Sequence, residues 1–114
     1  MKPNDLLDRT FNFGVDVLKL IRTLPKDPEY ALIRYQLGKS ATSVGVNYEE
    51  SQAGSSKADF KNKVRISLKE ARESNYWLRI IIALRETENT ELTRLTQESK
   101  EMKNILAAII NKMN

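Results

Sequence analysis

Residues 36–50 constrain the fold more than any other stretch, because they combine helical periodicity with a low intrinsic helix propensity. The stretch contains two glycines, Gly38 and Gly45, and two β-branched valines, all of which disfavour an isolated helix. Its apolar residues nevertheless recur at helical spacing, at Leu37, Ala41, Val44 and Tyr48. Such a helix forms only when neighbouring helices pack against it. We therefore predict that it lies inside a bundle, with both glycines where a neighbouring backbone approaches closely.

Four segments of the chain show helical periodicity. They are predicted as helices over residues 5–24, 28–52, 57–86 and 91–112. Residues that favour helix termini flank them, namely Asn4, Asp27 before Pro28, Gly54, Ser56 with Asp59, and Asn89. Gly54 is expected to end the second helix in a left-handed conformation. Helices joined by short turns predict an all-α fold, an antiparallel up-down-up-down four-helix bundle in which residues 1–114 form a single domain.

The predicted core takes one apolar seam from each helix. In the first helix the seam is Leu7, Phe11, Leu18 and Ile21, widened by Leu6, Phe13, Val17 and Leu20. In the third helix it is Phe60, Val64, Leu68, Ala71, Leu78 and Ile82. In the fourth it is Leu92, Leu95, Met102, Leu106, Ile109 and Met113. A helix in a monomeric bundle needs only one such seam.

A second apolar group on the third helix points away from that seam. Its members are Ile66, Trp77, Ile80 and Leu84. A four-helix bundle has no further layer to cover them, although an extra core stripe under a terminal segment is the alternative. We therefore predict that this group forms the contact between the subunits of a homo-oligomer.

The absence of cysteine and histidine limits the chemistry of the chain. Without cysteine, neither a disulfide nor a thiolate metal site can form. Without histidine, the commonest general base and the commonest metal ligand are missing. Carboxylate-only chemistry is the alternative that stays open. We predict that the protein is not an enzyme and that it has neither a cofactor nor a metal site.

The charge balance and the apolar runs indicate which environment the protein occupies. A net charge of +4 and a pI of about 9.4 permit an acidic partner without requiring one. Nothing near the N-terminus resembles a signal peptide, and the longest apolar runs, residues 80–84 and 105–110, are too short to span a bilayer. We expect a cytoplasmic protein with no membrane partner.

A polar stripe follows one flank of the second helix. It comprises Gln36, Ser40, Ser43, Asn47 and Glu50, and the third helix offers Lys69, Glu70, Glu73 and Asn75. One interpretation is a buried acid–base cluster. The other, which the lack of histidine and cysteine favours, is a structural polar network that fixes the register of the two helices. The three glutamates, Glu50, Glu70 and Glu73, could hold a divalent ion, but they lack the spacing typical of carboxylate metal sites in bundles.

Basic residues form a line along the third helix, which we call the basic ridge. It comprises Lys61, Arg65, Lys69, Arg72 and Arg79, with Tyr76 among them. Such a ridge could follow a phosphate backbone while the tyrosine stacks on a base. The alternative is an ordinary solvated face, which Glu73 and Glu86 dilute. Lys69 cannot serve both the ridge and the polar network, so one of these assignments is wrong.

The chain resembles a bacterial family of four-helix bundle proteins. In its first half the resemblance is carried by Arg9, Thr10, Phe11, Phe13, Gln36, Leu37, residues 40–44, Asn47, Glu49 and Glu50. In its second half it is carried by Ser56, Asp59, Phe60, Lys63, residues 69–73 and residues 76–79. Members of the family include proteins encoded in intervening sequences of ribosomal RNA genes, and the accessory variability proteins of diversity-generating retroelements are similar. The chain departs from the pattern at Gly45, Val46 and Tyr48.

The resemblance implies an up-down bundle, commonly a ring-shaped homopentamer, with a positively charged surface that binds nucleic acid and without catalytic residues. The main expected function is that of a nucleic-acid-binding or ribonucleoprotein accessory module for RNA or DNA. Because no segment resembles a helix that reads the major groove, we expect low sequence specificity. The alternative function is a protein-interaction scaffold, such as an accessory subunit of a reverse transcriptase.

Overall fold

The helices alternate in direction, so each packs antiparallel to the next. The computed structural model describes residues 5–54, 56–85 and 89–114, and in them it forms α1 (Asp5–Ile21), α2 (Pro28–Gln52), α3 (Lys57–Leu84) and α4 (Thr90–Met113). α1 packs on α2, α2 on α3 and α3 on α4, and α4 closes the bundle against α1. Within the described residues, no helix is long and apolar enough to cross a membrane. The predicted all-α up-down-up-down four-helix bundle is confirmed.

α2 and α4 bury the apolar stripes predicted for them. On α2 the buried apolar residues include Leu37, Ala41, Val44 and Tyr48. On α4 they include Leu92, Leu95, Met102 and Leu106. Ile109 and Met113 are only half-buried, and the neighbouring Ile110 takes the core position at the end of α4. The prediction that residues 36–50 form an interior helix is confirmed.

α1 buries the residues that were predicted to widen its seam, and not the centre of that seam. Phe11 is 62% exposed and Leu18 is 42% exposed. The apolar core residues of α1 are the four predicted widening residues, Leu6, Phe13, Val17 and Leu20, and Leu7 and Ile21 are partly buried against them. The physical reason is the approach of α2 at Gly14, where an added Cβ would lie 3.5 Å from Cα of Thr42. This contact places α2 against one flank of α1 and leaves Phe11 and Leu18 at the outer edge of the contact.

The core seam of α3 contains serines that an apolar pattern does not include. The buried residues are Val64, Ser67, Ala71, Ser74, Leu78 and Ile81. The predicted core residue Ile82 is 43% exposed, and Ile81 takes its place. The serines can occupy the seam because their hydroxyls are hydrogen-bonded. Ser67 Oγ, for example, donates to the carbonyl oxygen of Val44 on α2 at 2.7 Å.

The two glycines of α2 have different neighbours. An added Cβ at Gly45 would lie 3.2 Å from the carbonyl oxygen of Thr10, so α1 and α2 approach closely there. At Gly38 the nearest atom would be Cδ1 of Ile21, at 3.4 Å. The predicted backbone contact is therefore confirmed for Gly45. It is wrong for Gly38, because side chains fill the space beside that residue.

Two helix starts follow the predicted capping pattern. The Ser56 hydroxyl accepts a hydrogen bond from the backbone N–H of Asp59 at 3.0 Å. The side-chain oxygen of Asn89 accepts one from the backbone N–H of Leu92 at 2.9 Å. Asp27 precedes α2 as predicted, but its side chain makes no capping hydrogen bond. The predicted cap Asn4 and the predicted end of the third helix at residue 86 lie outside the described residues.

One helix end and one cap conformation differ from the prediction. α1 ends at Ile21, three residues earlier than expected. α2 ends at Gln52 as predicted, but Ala53 is its C-cap and Gly54 does not adopt the expected left-handed conformation. The backbone N–H of Gly54 donates to the carbonyl oxygen of Ser51 at 3.4 Å, which satisfies a terminal carbonyl without a positive φ.

Ion pairs join α1 to α4. Arg9 Nε donates to a carboxylate oxygen of Glu98 at 2.9 Å, and its Nη2 lies 3.2 Å from Glu101. Further along the bundle, Arg94 Nη2 lies 2.8 Å from Asp16. The hydrogen bonds to Glu98 raise the pKa of Arg9 above its usual value. These ion pairs hold the first helix, α1, against the last helix, α4. Helical periodicity did not predict them.

Candidate nucleic-acid interface

The basic ridge lies on the side of α3 that faces away from the core. Its exposed residues are Arg65, Lys69, Arg72, Tyr76 and Arg79, whereas Lys61 is half-buried. At 1.5 Å per residue, the helix rises about 27 Å between Lys61 and Arg79. Because Lys69 is exposed, the structure places it with the ridge and not in a buried network.

The cations of the basic ridge are not neutralised by ion pairs within the described residues. The ion pairs found in residues 5–54, 56–85 and 89–114 use the side chains of Arg9, Lys63 and Arg94. Two ridge residues instead hydrogen-bond to neutral amides, Lys61 to Asn114 and Arg79 to Asn75. A cation bonded to a neutral amide keeps its charge, so the ridge presents that charge to the solvent.

Asn75 connects the basic ridge to α4. Its Oδ1 accepts a hydrogen bond of 2.9 Å from Nε of Arg79. Its Nδ2 donates to Ser99 Oγ at 3.0 Å and lies 3.4 Å from the carbonyl oxygen of Thr96. The predicted grouping of Asn75 with the polar stripe of α2 is wrong, because Asn75 lies on the flank of α3 that faces α4. Asn75 therefore acts on the ridge by orienting Arg79.

Tyr76 lies between a cation and an aromatic ring. The guanidinium carbon of Arg79 is 5.7 Å from the centroid of the Tyr76 ring. The ring of Trp77 meets Tyr76 edge-to-face, with centroids 5.4 Å apart and planes at 83°. Cation–π and edge-to-face contacts both favour a fixed ring position. Half of Tyr76 stays exposed, so an oriented ring is available for stacking.

Two lysines of α4 extend the basic surface beside the ridge. Lys100 and Lys103 follow Thr96 and Ser99 by four residues, and so lie one turn further along the flank that contacts Asn75. Lys100 is exposed and Lys103 is half-buried. The spacing within α3 cannot reveal them, because their position beside the ridge follows from the packing of α3 on α4.

Part of the polar stripe of α2 bonds to α3. The hydroxyl oxygens of Ser40 and Ser74 lie 2.9 Å apart, and both residues are buried. The carboxylate of Glu50 lies 2.8 Å from Nζ of Lys63. Neither Ser74 nor Lys63 was predicted as a partner of the stripe. An apolar pattern does not select serine, so Ser74 was not expected. Its short side chain lets the two helices lie close together.

The other members of the stripe bond within α2 or are half-buried at its surface. Asn47 Nδ2 donates to the carbonyl oxygen of Ser43 at 2.9 Å. Ser43 Oγ donates to the carbonyl oxygen of Lys39 at 2.8 Å. Gln36 is half-buried. The stripe is therefore divided between contacts to α3 and contacts to its own backbone.

Glu70 and Glu73 are half-buried on α3, within one turn of each other. Burial raises the pKa of Glu70, and the charge of Glu73 raises it further, while Lys69 and Lys39 act in the opposite direction. The ionised form of Glu70 is therefore unfavourable in the folded protein. Among the residues that the structure describes, no three acidic side chains are grouped so that they could hold a metal ion.

The predicted subunit contact on α3 is partly covered by the bundle itself. Ile66 is half-buried, and Trp77 and Ile80 are partly buried and pack against the hydrophobic core. Leu84 is 48% exposed. The expectation that this group points away from the core therefore fails for Trp77 and Ile80. A contact between subunits at this group stays a prediction.

These features define a small helical bundle whose candidate site is a charged helix face. The sequence profile of the 23S rRNA-intervening sequence proteins matches residues 2–108. The chain therefore belongs to the 23S rRNA-intervening sequence protein family, as its motifs predicted.

A solved structure shares the fold over almost the whole chain. It is the crystal structure of a protein with unknown function from the S23 ribosomal protein family of Bacteroides thetaiotaomicron. The two chains are 31% identical, and their TM-score is 0.83 over 92% of this chain and 97% of that chain. No curated protein matches the chain. The comparisons thus establish the family and the fold without an activity.

Proposed function

We propose that the protein is a cytoplasmic, non-enzymatic nucleic-acid-binding or ribonucleoprotein accessory module that binds RNA or DNA through the basic ridge. The observation that best supports this proposal is the line of five ridge cations that form no ion pair within the described residues. A phosphate backbone supplies a matching line of negative charge, and each contact releases condensed counterions. The family name, which refers to 23S rRNA, adds support.

A single strand fits the ridge better than the major groove of a duplex does. α3 is one of four long helices of an up-down bundle, an arrangement unlike the helix-turn-helix that presents a recognition helix to a groove. Tyr76, oriented by Arg79 and Trp77, offers a ring on which any base can stack. We therefore expect binding to single-stranded RNA or DNA with little sequence specificity.

The test compares two double variants with the same net charge. The ridge variant carries Arg65→Glu and Arg72→Glu, and the control carries Lys26→Glu and Lys112→Glu, which lie outside the ridge. Fluorescence anisotropy with a labelled RNA of about 20 nucleotides in about 50 mM salt measures the affinity of each protein. We expect the ridge variant to lose more than tenfold in affinity and the control less than threefold. Equal losses, or no binding by the parent protein, would refute the proposal.

The scaffold function, the reverse-transcriptase partner and the ring of five subunits stay predictions that rest on the family resemblance. No contact among the described residues favours a reverse transcriptase over a nucleic acid as the partner. If the parent protein does not bind RNA or DNA, the scaffold function becomes the leading hypothesis.

A further inference from the structure

A glutamate, Glu73, lies beside the aromatic ring of the basic ridge. It precedes Tyr76 by three residues on α3, so the two side chains share one side of the helix. Side chains in a helix lean toward its N-terminus, which places the Tyr76 ring over the turn that carries Glu73. Arg79 leans over Tyr76 in the same way, with its guanidinium carbon 5.7 Å from the ring centroid. The surface of α3 at this level therefore presents a ring and a carboxylate next to each other.

Glu73 has no hydrogen-bond or ion-pair partner among the residues that the structure describes, although it is half-buried. The ion pairs in that part of the chain use other carboxylates, those of Asp16, Glu50, Glu91, Glu98 and Glu101. An ionised carboxylate only accepts hydrogen bonds, and losing water contacts without gaining donors is unfavourable. Both oxygens of Glu73 are therefore available to a ligand that brings two donors.

The neighbours of Glu73 on its side of α3 are apolar. Ile66 and Ile80 lie seven residues on either side of it, and Trp77 lies one turn beyond it. All three are half-buried, and Trp77 and Ile80 pack against the hydrophobic core. A hydrogen bond to a carboxylate is stronger where apolar side chains displace water. A donor that reaches Glu73 is therefore bound more firmly than it would be at a fully solvated glutamate.

The hydrogen-bond donors of the bases determine which base matches a ring with a carboxylate at its edge. Every base can stack on a tyrosine, so the ring alone does not discriminate. On its Watson–Crick edge, guanine has two neighbouring donors, the N1–H and the 2-amino group. Adenine and cytosine have one amino group there beside a ring nitrogen that accepts, and uracil has one N–H between two carbonyls. Guanine is therefore the base that can donate to both oxygens of one carboxylate.

We propose that Tyr76 and Glu73 form a subsite for one guanine base of the bound strand. The guanine ring stacks on Tyr76, and its N1–H and 2-amino group donate to the two carboxylate oxygens of Glu73. Arg72 and Arg79, one turn before and one turn after Tyr76, contact the phosphates on either side of that nucleotide. The subsite rests on the proposed function, because it selects among strands that the basic ridge binds. It reads one position, so the strand as a whole is bound with little sequence specificity.

Uridine RNAs of about 20 nucleotides that differ at every third base test the subsite. The third base is guanine, inosine, adenine or a further uracil, and fluorescence anisotropy in about 50 mM salt gives each dissociation constant. A bidentate contact to a base discriminates by about fivefold or more, and guanine occupies one register in three. We therefore expect the guanine strand to bind at least about threefold more tightly than the adenine strand, whose purine stacks equally well. Inosine lacks the 2-amino group and should give an intermediate affinity.

Two variants with the same change in charge separate base recognition from electrostatics. Glu73→Gln removes a negative charge, so it should tighten the binding of every strand while the guanine and adenine affinities become equal. Glu70→Gln is the control, because Glu70 lies six residues before Tyr76 and on another side of α3. It should tighten the binding of both strands and leave their ratio unchanged. Tyr76→Phe keeps the ring and should keep the ratio, whereas Tyr76→Leu should lose it. Circular dichroism confirms that each variant is folded.

The outcomes distinguish the subsite from the function on which it rests. Equal affinities for the guanine and adenine strands, or a ratio that survives Glu73→Gln, would overturn the subsite and leave nucleic-acid binding by the ridge intact. No binding of any strand, the uridine strand included, would refute both. GMP at about 1 mM should displace little of the RNA, because it brings a single phosphate to the ridge. Displacement of half of the RNA would show that the site takes a free nucleotide, which would overturn its assignment to a strand.

Discussion

The side-chain oxygen of Asn75 accepts a hydrogen bond of 2.9 Å from Nε of Arg79, one turn further along α3. The amide nitrogen of Asn75 is held in turn by Ser99 on α4. The guanidinium so placed lies over the ring of Tyr76. The packing of two helices therefore fixes the position of a surface cation, and a preorganised cation loses less entropy when it binds a phosphate.

Replacing Asn75 separates the position of Arg79 from its charge. Asn75→Ala should weaken RNA binding about two- to fivefold, because Arg79 keeps its charge but loses its orientation. The salt dependence of binding should not change, since the number of phosphate contacts is the same. Arg79→Gln is the comparison, and it should also lower the salt dependence. An Asn75→Ala variant that binds like the parent protein would show that α4 does not position the ridge.

The contact between Gly45 and Thr10 leads to a prediction about stability. Alanine in place of a helical glycine contributes about 1 kcal/mol through helix propensity, and this gain applies equally to Gly38 and Gly45. At Gly45 the new methyl group would lie 3.2 Å from a backbone oxygen of α1, and overpacking of this kind costs about 1–3 kcal/mol. At Gly38 it meets the flexible end of Ile21. Gly38→Ala should therefore unfold at a higher urea concentration than Gly45→Ala, and equal midpoints would contradict this.

Arg9 and Glu98 should couple energetically across the contact of α1 with α4. Their side chains are only 29% and 20% exposed, and the bond is bidentate, which places the pair between surface and buried ion pairs. A double-mutant cycle with Arg9→Ala and Glu98→Ala should give a coupling energy of about 1–2 kcal/mol. The more exposed Arg94–Glu91 pair is the control and should give about 0.5 kcal/mol or less. Similar values for both cycles would mean that the closure of the bundle does not depend on Arg9.

Apolar periodicity predicts the fold well where the core is apolar and fails where serine enters it. It identified the buried stripes of α2 and α4, because Leu37 and Leu106 recur with their neighbours at helical spacing. On α3 it missed Ser67 and Ser74, whose burial depends on hydrogen-bond partners supplied by another helix. On α1 it named both apolar stripes but put Phe11 at the centre in place of Phe13, since only the approach of α2 decides between the two stripes.

The same limit applies to the candidate site. The spacing of Arg65, Arg72 and their neighbours on α3 was sufficient to predict an outward line of cations, because one helix determines that property. The partners of Asn75 and the place of Lys103 beside the ridge depend on where α4 packs. Sequence periodicity within a single helix carries no information about that packing.

Glu70 should make stability depend on pH. Burial, helped by the charge of Glu73, raises its pKa above 4.5, so the folded protein holds the proton more tightly than the unfolded chain does. The stabilisation by the protonated form is complete below pH 4.5 and is lost as the pH rises through the folded pKa. Glu70→Gln imitates the protonated form at every pH. It should raise the melting temperature at about pH 7, and the gain should shrink to nothing at about pH 4.

The control for this effect is Asp27→Asn, which removes one exposed negative charge outside the bundle core. If Asp27→Asn gave the same pH-dependent gain, the cause would be the net charge of the protein and not the burial of Glu70. A Glu70→Gln variant that is less stable than the parent protein at about pH 7 would show that ionised Glu70 makes a favourable contact.

The salt dependence of binding should report how many ridge cations contact phosphates. For single strands, the logarithm of the association constant falls by about 0.7 for each phosphate contact per tenfold rise in salt. Five contacts from Lys61, Arg65, Lys69, Arg72 and Arg79 therefore predict a slope of about −3.5. Arg65→Gln with Arg72→Gln should reduce the slope to about −2.1, because glutamine removes the charge without adding repulsion. Lys26→Gln with Lys112→Gln should leave it at the parent value. An unchanged slope in the ridge variant would mean that the nucleic acid is bound by another surface.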